Sequence, residues 1–219
     1  MSRGTGKCLV GGDMKVIRMY DAATETLVAD YSARSGSPIT SLTSDQVAGH
    51  YFVAGFGDGA VRVYDVRKDN RDPLVRAWKQ HKSWIVNVHM QRGGIRELVT
   101  GSIAGEVRLF EYIFRYGPNL ICSILQDQPI RTIQAHTTEM RCLAVHEHAP
   151  VFATGSTSSS FKVWNMDGTH LSTSRHQAGF LHQGRTAGIA ALNFHPHAMV
   201  LAESGNMDGH VRLLNAQPV

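Results

Sequence analysis

One short phrase occurs five times along this chain, and a chain built that way has few ways to fold. It reads Val16-Ile17-Arg18-Met19-Tyr20-Asp21, Ala60-Val61-Arg62-Val63-Tyr64-Asp65 and Glu106-Val107-Arg108-Leu109-Phe110-Glu111. It returns as Ser160-Phe161-Lys162-Val163-Trp164-Asn165 and His210-Val211-Arg212-Leu213-Leu214-Asn215. The intervals between Tyr20, Tyr64, Phe110, Trp164 and Leu214 are 44, 46, 54 and 50 residues. A repeat of that length, carried by short strands, predicts an all-β radial array of four-stranded sheets, a β-propeller. Such an array presents binding surface, so the first functional expectation is a protein-interaction module and not an enzyme.

Turn residues divide the repeats into strands. Lys7 to Gly11, Val16 to Tyr20 and Glu25 to Tyr31 read as the strands of a first unit that lacks its inner strand. The second unit uses Ile39 to Thr43, Tyr51 to Gly55, Val61 to Tyr64 and Leu74 to Trp78, and the third begins with Ile85 to Met90, Glu97 to Gly101 and Val107 to Phe110. Residues 111–134 then form an irregular insertion, expected to hold one strand and a loop. Leu120 to Leu125 and Ile130 to Ile133 compete for that strand. The fourth unit uses Met140 to Val145, Val151 to Gly155 and Phe161 to Trp164, with a weak outer strand at Thr169 to Ser174. A polar loop at 176–188 leads to the fifth, Ile189 to Phe194, Val200 to Glu203 and Val211 to Leu214, which lacks its outer strand. Residues 1–219 thus amount to about four and a half blades. Either a five-bladed ring closes by pairing the stubs, or the chain is a piece of a larger propeller.

Within the phrase, Val61 and Val63 face one way and Arg62 and Tyr64 the other. The equivalent aromatics Tyr20, Tyr64, Phe110 and Trp164 are read as structural. Arg18, Arg62, Arg108, Lys162 and Arg212 share one register and are expected to pack their stems on neighbouring aromatics. Asp13, Asp58 and Asp208 stand in turns beside glycines, where positive φ is tolerated. His81 and His136 precede inner strands. Buried histidines of this kind usually lock to a turn Asp, but Ser102-Ile103-Ala104-Gly105 and Ser156-Thr157-Ser158-Ser159 offer none. Seryl or backbone partners are the expected substitutes.

His146-Glu147-His148 and His195-Pro196-His197 have metal-ligand spacing, but they recur at one place in the repeat and read as turns. No nucleophile elbow or phosphate loop is present, so no catalytic residue, metal or cofactor is expected. The formal charge of +4 is spread through the repeats, which argues against nucleic acid as a partner. Three cysteines, Cys8, Cys122 and Cys142, suit a reducing cytoplasm better than a disulfide framework. The first residues carry no secretory signal, and no apolar run is long enough to span a bilayer, so no direct membrane insertion is expected.

Interaction is expected where the regular spacing breaks. The first insertion gathers Tyr112, Phe114, Arg115 and Tyr116, residue types enriched at interface centres. The loop at 176–188 offers Phe180, Leu181 and Arg185. A flap over a blade, or docking on the last blade, would account for the same residues.

Phe56-Gly57-Asp58-Gly59-Ala60-Val61-Arg62-Val63-Tyr64-Asp65 resembles the WD-repeat family. Val53 to Gly59, Gly179 to Arg185 and above all Ala187-Gly188-Ile189-Ala190-Ala191-Leu192-Asn193-Phe194-His195-Pro196-His197 extend the resemblance to the raptor family, scaffold subunits of a TOR kinase complex. Most of residues 6 to 215 is similar, with 111–134 the weakest. The resemblance implies the last four or five blades of a seven-bladed ring. It also implies protein partners, namely TOR kinase and other complex subunits or substrates, in growth signalling. The implied location is the cytoplasm, with recruitment to lysosomal or vacuolar membranes through partners. A generic WD-repeat adaptor, for example one presenting substrates to a ubiquitin ligase, is the alternative.

Overall fold

The computed structural model describes residues 6–45, 49–69, 72–91, 97–115, 121–124, 128–175, 188–205 and 210–215. Five antiparallel sheets follow one another along the chain. The first holds β1 (Lys7–Val10), β2 (Val16–Asp21) and β3 (Thr26–Ser32), and the second β4 (Ile39–Ser44), β5 (Tyr51–Phe56), β6 (Ala60–Asp65) and β7 (Leu74–Lys79). The third is built from β8 (Ile85–Met90), β9 (Glu97–Ser102), β10 (Glu106–Arg115), β11 (Ile121–Ile124) and β12 (Arg131–Gln134). The fourth holds β13 (Met140–Val145), β14 (Val151–Ser156), β15 (Ser160–Asn165) and β16 (His170–Arg175), and the last β17 (Ile189–Phe194), β18 (Val200–Gly205) and β19 (Val211–Asn215). Each repeated phrase is the third strand of its blade. Among the described residues the first sheet lacks an inner strand and the fifth an outer one.

Four apolar layers join neighbouring sheets, and the alternation of the phrase builds them. Val61 and Val63 on β6 pack forward onto Ile85, Val88 and Phe110 of the third blade. Tyr64, with Phe52, Ala54 and Phe56, packs backward onto Ile17, Met19 and Tyr31 of the first. Val107 and Leu109 meet Met140, Leu143, Phe152 and Trp164 in the same way, and Phe161 meets Ile189, Leu192 and Leu201. The small middle strand is required by this stacking. A Cβ on Gly55 would lie 2.5 Å from Ile85, and one on Gly101 2.6 Å from Met140.

The ring is open. Val211 and Leu213, the counterparts of Val61 and Val63, are 68% and 73% exposed, against 0% and 1% in the second blade. Val10 and Leu27 on the first sheet are likewise half exposed. A five-bladed closed ring is therefore excluded, and the fold is a partial propeller.

A polar seam ties the inner strands together. Ser41 donates to Asn87 Oδ1 at 2.9 Å, and Asn87 Nδ2 donates to the Leu143 carbonyl at 2.6 Å, so one side chain on β8 links β4 to β13. Between the first two blades the tie is Tyr64, stacked on Phe52 with ring centroids 4.7 Å apart. Its hydroxyl donates to the Ala33 carbonyl at 3.0 Å, and burial pushes its pKa up to about 12. Tyr64→Phe leaves that carbonyl without its donor and should cost about 1–2 kcal/mol in urea unfolding.

Candidate functional site

Strand direction sorts the connections into two rims. The turns between second and third strands and the links between blades lie at one rim. The turns between first and second strands, and between third and fourth, lie at the other. The two candidate interaction segments are therefore anchored at opposite ends of the array. Residues 176–187 leave β16 at the first rim, and Phe180, Leu181 and Arg185 lie outside the described residues. The first insertion leaves β10 at the second rim.

That insertion is not a single strand with a loop. β10 runs for ten residues and pairs in tandem along one edge. Glu106 to Leu109 pairs with β12, and Tyr112 to Arg115 pairs with β11. Both competing apolar stretches contribute strands because the extended β10 has length for each in turn. The result is a two-stranded ribbon beyond the blade. Its register sets Tyr112 opposite Ile124 and Phe114 opposite Cys122. Arg115 lies opposite Ile121. Tyr116 lies outside the described residues.

At the first rim, the two histidine locks differ. His81 Nε2 lies 2.8 Å from Thr100 Oγ1, and its Nδ1 lies 3.1 Å from Glu106 Oε2. Glu106 also accepts from Arg108 at 2.7 Å, and Arg108 donates to Gln80 at 2.7 Å. Burial lowers the His81 pKa to about 4, against the pull of the Glu106 carboxylate. In the fourth blade His136 Nε2 lies 2.9 Å from Thr154 Oγ1, which also accepts from Trp164 Nε1 at 3.1 Å. Burial lowers the His136 pKa as well. Phe110 stands where Trp164 does and has no donor to offer. Sequence reasoning missed Glu106. Its signal was the acidic residue opening the phrase, where Ala60 and Ser160 stand in sister blades. The turn serines do not reach the histidines. Ser102 and Ser156 donate instead to the carbonyls of Glu106 and Ser160.

Asp58 Oδ1 accepts from the Ala60 amide at 3.1 Å, which closes its turn. Asp13 is exposed at the matching turn of the first blade, and Tyr20 is half-buried on the open side of that blade. Asp208 lies outside the described residues. Gly59 and Gly105 adopt φ of 83° and 82°, and Ser159 holds the same place at 61°. Ser159→Gly relieves that left-handed conformation at some entropic cost. A gain of about 0.5–1 kcal/mol is expected in urea unfolding.

The five cations of the shared register do not form one ligand-binding ring. Arg62 lies over Phe56 at 4.2 Å and Lys162 beside Trp164 at 5.8 Å, as expected of stems on aromatics. The others depart from that expectation and pair with carboxylates, Arg18 with Asp30, Arg108 with Glu106 and Arg212 with buried Glu203. The reason is local. Asp30 and Glu203 lie opposite them on paired strands, and Glu106 is two residues away on the same face. At the second rim, His146 Nδ1 accepts the amides of His148 and Ala149, and His195 Nδ1 accepts that of His197. Both His-x-His pairs thus act as turn caps, and His148 stacks on His197 with centroids 5.4 Å apart.

Residues 127–165 and 178–215 match the WD domain, G-beta repeat family. Over 95% of its length the chain is 42% identical to the target of rapamycin complex 1 subunit mip1 of Schizosaccharomyces pombe. Over 97% it is 37% identical to the complex 1 subunit KOG1 of Saccharomyces cerevisiae. The crystal structure of Chaetomium thermophilum Raptor superposes with a TM-score of 0.87 at 40% identity, over 98% of this chain and 19% of that one. The chain belongs to the raptor family, as a WD-repeat segment. It spans 15% of the length of both curated relatives.

Proposed function

We propose that this chain is a non-catalytic protein-interaction module that supports assembly of a TOR kinase complex and presentation of substrates to it. The observation that carries the reading is the 40% identity to Raptor at a TM-score of 0.87 along nearly the whole chain. The architecture agrees with it. Rigid stacked blades hold out turns and a ribbon, and the buried polar groups at the rims serve turns and blade contacts. Further blades of a seven-bladed ring cover the faces bearing Val211 and Leu213 and bearing Val10 and Leu27. The ribbon with Tyr112, Phe114 and Arg115 is a partner contact, and the segment with Phe180, Leu181 and Arg185 is a second, at the opposite rim. Work in the cytoplasm, with recruitment to lysosomal or vacuolar membranes through partners, follows from the same reading.

The experiment is size-exclusion chromatography with light scattering, with and without purified TOR kinase. The full-length protein that carries this segment is compared with a version in which Tyr112 and Phe114 are changed to Ser. Co-elution that weakens at least tenfold in the variant is the expected result. Undiminished co-elution would remove the ribbon from the interface. Loss of any complex, with capture of a ubiquitin-ligase adaptor instead, would overturn the reading.

A further inference from the structure

Blades three and four carry the same rim arrangement with one difference. In blade three a histidine, a carboxylate and a cation meet: His81 Nδ1 lies 3.1 Å from Glu106, and Arg108 donates to Glu106 at 2.7 Å. In blade four the corresponding residues are His136, Ser160 and Lys162. The correspondence is geometric as well as sequential. His81 and His136 make the same contact to Thr100 and Thr154, at 2.8 and 2.9 Å. Arg108 and Lys162 both reach the residue before the histidine, Gln80 and Ala135, each at 2.7 Å. Blade four therefore keeps the histidine and the cation and has a neutral hydroxyl where blade three has its anion.

We propose that Ser160 is a phosphorylation site whose phosphate is received by His136 and Lys162. A phosphoserine carries its terminal oxygens as many bonds from Cβ as a glutamate does. Phosphorylated Ser160 therefore reaches what Glu106 reaches. It brings a charge of about −2 and charge-assisted hydrogen bonds in place of a hydroxyl. Among the described residues Lys162 has no carboxylate partner. Arg175, exposed and directly opposite Ser160 on β16, adds a cation where blade three has Gln134. The hydroxyl is not locked in place. Ser160 Oγ lies 3.0 Å from Ser158 and 3.3 Å from Ser156 in a cluster of exchangeable hydroxyls at a half-exposed rim. The modification is group transfer from a nucleoside triphosphate by a serine/threonine protein kinase. The Ser160 Oγ–P bond forms, and the bond from the γ-phosphorus to its bridging oxygen breaks. The hydroxyl proton passes to the kinase base, and the nucleoside diphosphate leaves.

Two measurements test it. In the protein isolated from its own cells, phosphopeptide mapping should place phosphate on Ser160. The peptide recovered only unmodified across growth conditions, or carrying phosphate on Ser158 alone, overturns the proposal. In recombinant full-length protein, phosphoserine encoded at position 160 should raise the propeller's melting temperature by about 2–4 °C. Ser160→Glu should shift it in the same direction, and Lys162→Met should abolish the gain in both. A fall in melting temperature, or a gain indifferent to Lys162→Met, overturns the assignment of the receiving residues.

Discussion

Gly59→Ala is expected to destabilise the chain by about 3 kcal/mol or more, the largest effect of any single methyl group in the second blade. Two independent penalties coincide there. The residue has φ of 83°, where an L side chain is strained, and its new Cβ would collide with the His81 carbonyl and approach the Ser83 carbonyl at 2.9 Å. Both obstacles are backbone, so neither can turn aside. Gly105→Ala should behave alike, because its Cβ would meet the His136 carbonyl. Gly12→Ala is the control. Nothing lies within 4 Å of its Cβ, and a change under about 0.5 kcal/mol is expected. Urea unfolding of the three variants checks the set. A Gly59→Ala protein as stable as the control would mean that the turn does not rest on the next blade.

Acid should cost about 3 kcal/mol at His81 alone. In the unfolded chain His81 takes up its proton near its ordinary pKa of 6.5. In the fold, burial delays protonation to about 4. The unfolded state therefore binds more protons between those values. The contribution is whole above pH 6.5, shrinks as pH falls and is gone below about 4. Burial lowers the His136 pKa too, so that residue adds loss in the same direction. Burial is the largest single influence on Glu106 and raises its pKa, but the hydrogen bond and charge of Arg108 and the contact with His81 together outweigh it and hold the carboxyl below its ordinary value. Glu106 thus also loses its contribution as pH falls. Urea unfolding at pH 7.5 and pH 4.5 should show the difference. His81→Gln should flatten the slope while lowering stability at neutral pH. An unchanged slope would place the acid sensitivity elsewhere.

Local pattern made the five phrases legible, because alternation and turn residues act within a few positions. Val61 and Val63 against Arg62 and Tyr64 could be assigned to opposite faces without coordinates. The turn roles of His146 and His195 were legible for the same reason, since the repeat placed them. Pairing was not legible where it depends on strand length. Ile121–Ile124 and Arg131–Gln134 competed for one partner, and only the ten-residue β10 reveals that both are served. Lock partners were missed because Glu106 approaches His81 across 25 residues of sequence. The expected turn partners end at Gly105, one residue before Glu106 opens β10. The open ring was one of two sequence alternatives, and the exposure of Val211 and Leu213 decides between them.

The apolar layers join each sheet only to its neighbours along the chain, and this makes the molecule behave as a one-dimensional lattice. Inner sheets gain two interfacial couplings and terminal ones gain a single coupling. For these five sheets taken without further blades, opening should therefore spread inward from the first and last sheets, and amide hydrogen exchange should slow toward β8 and β9. A defect at Gly59 would cut the lattice between its second and third units and convert one cooperative transition into two.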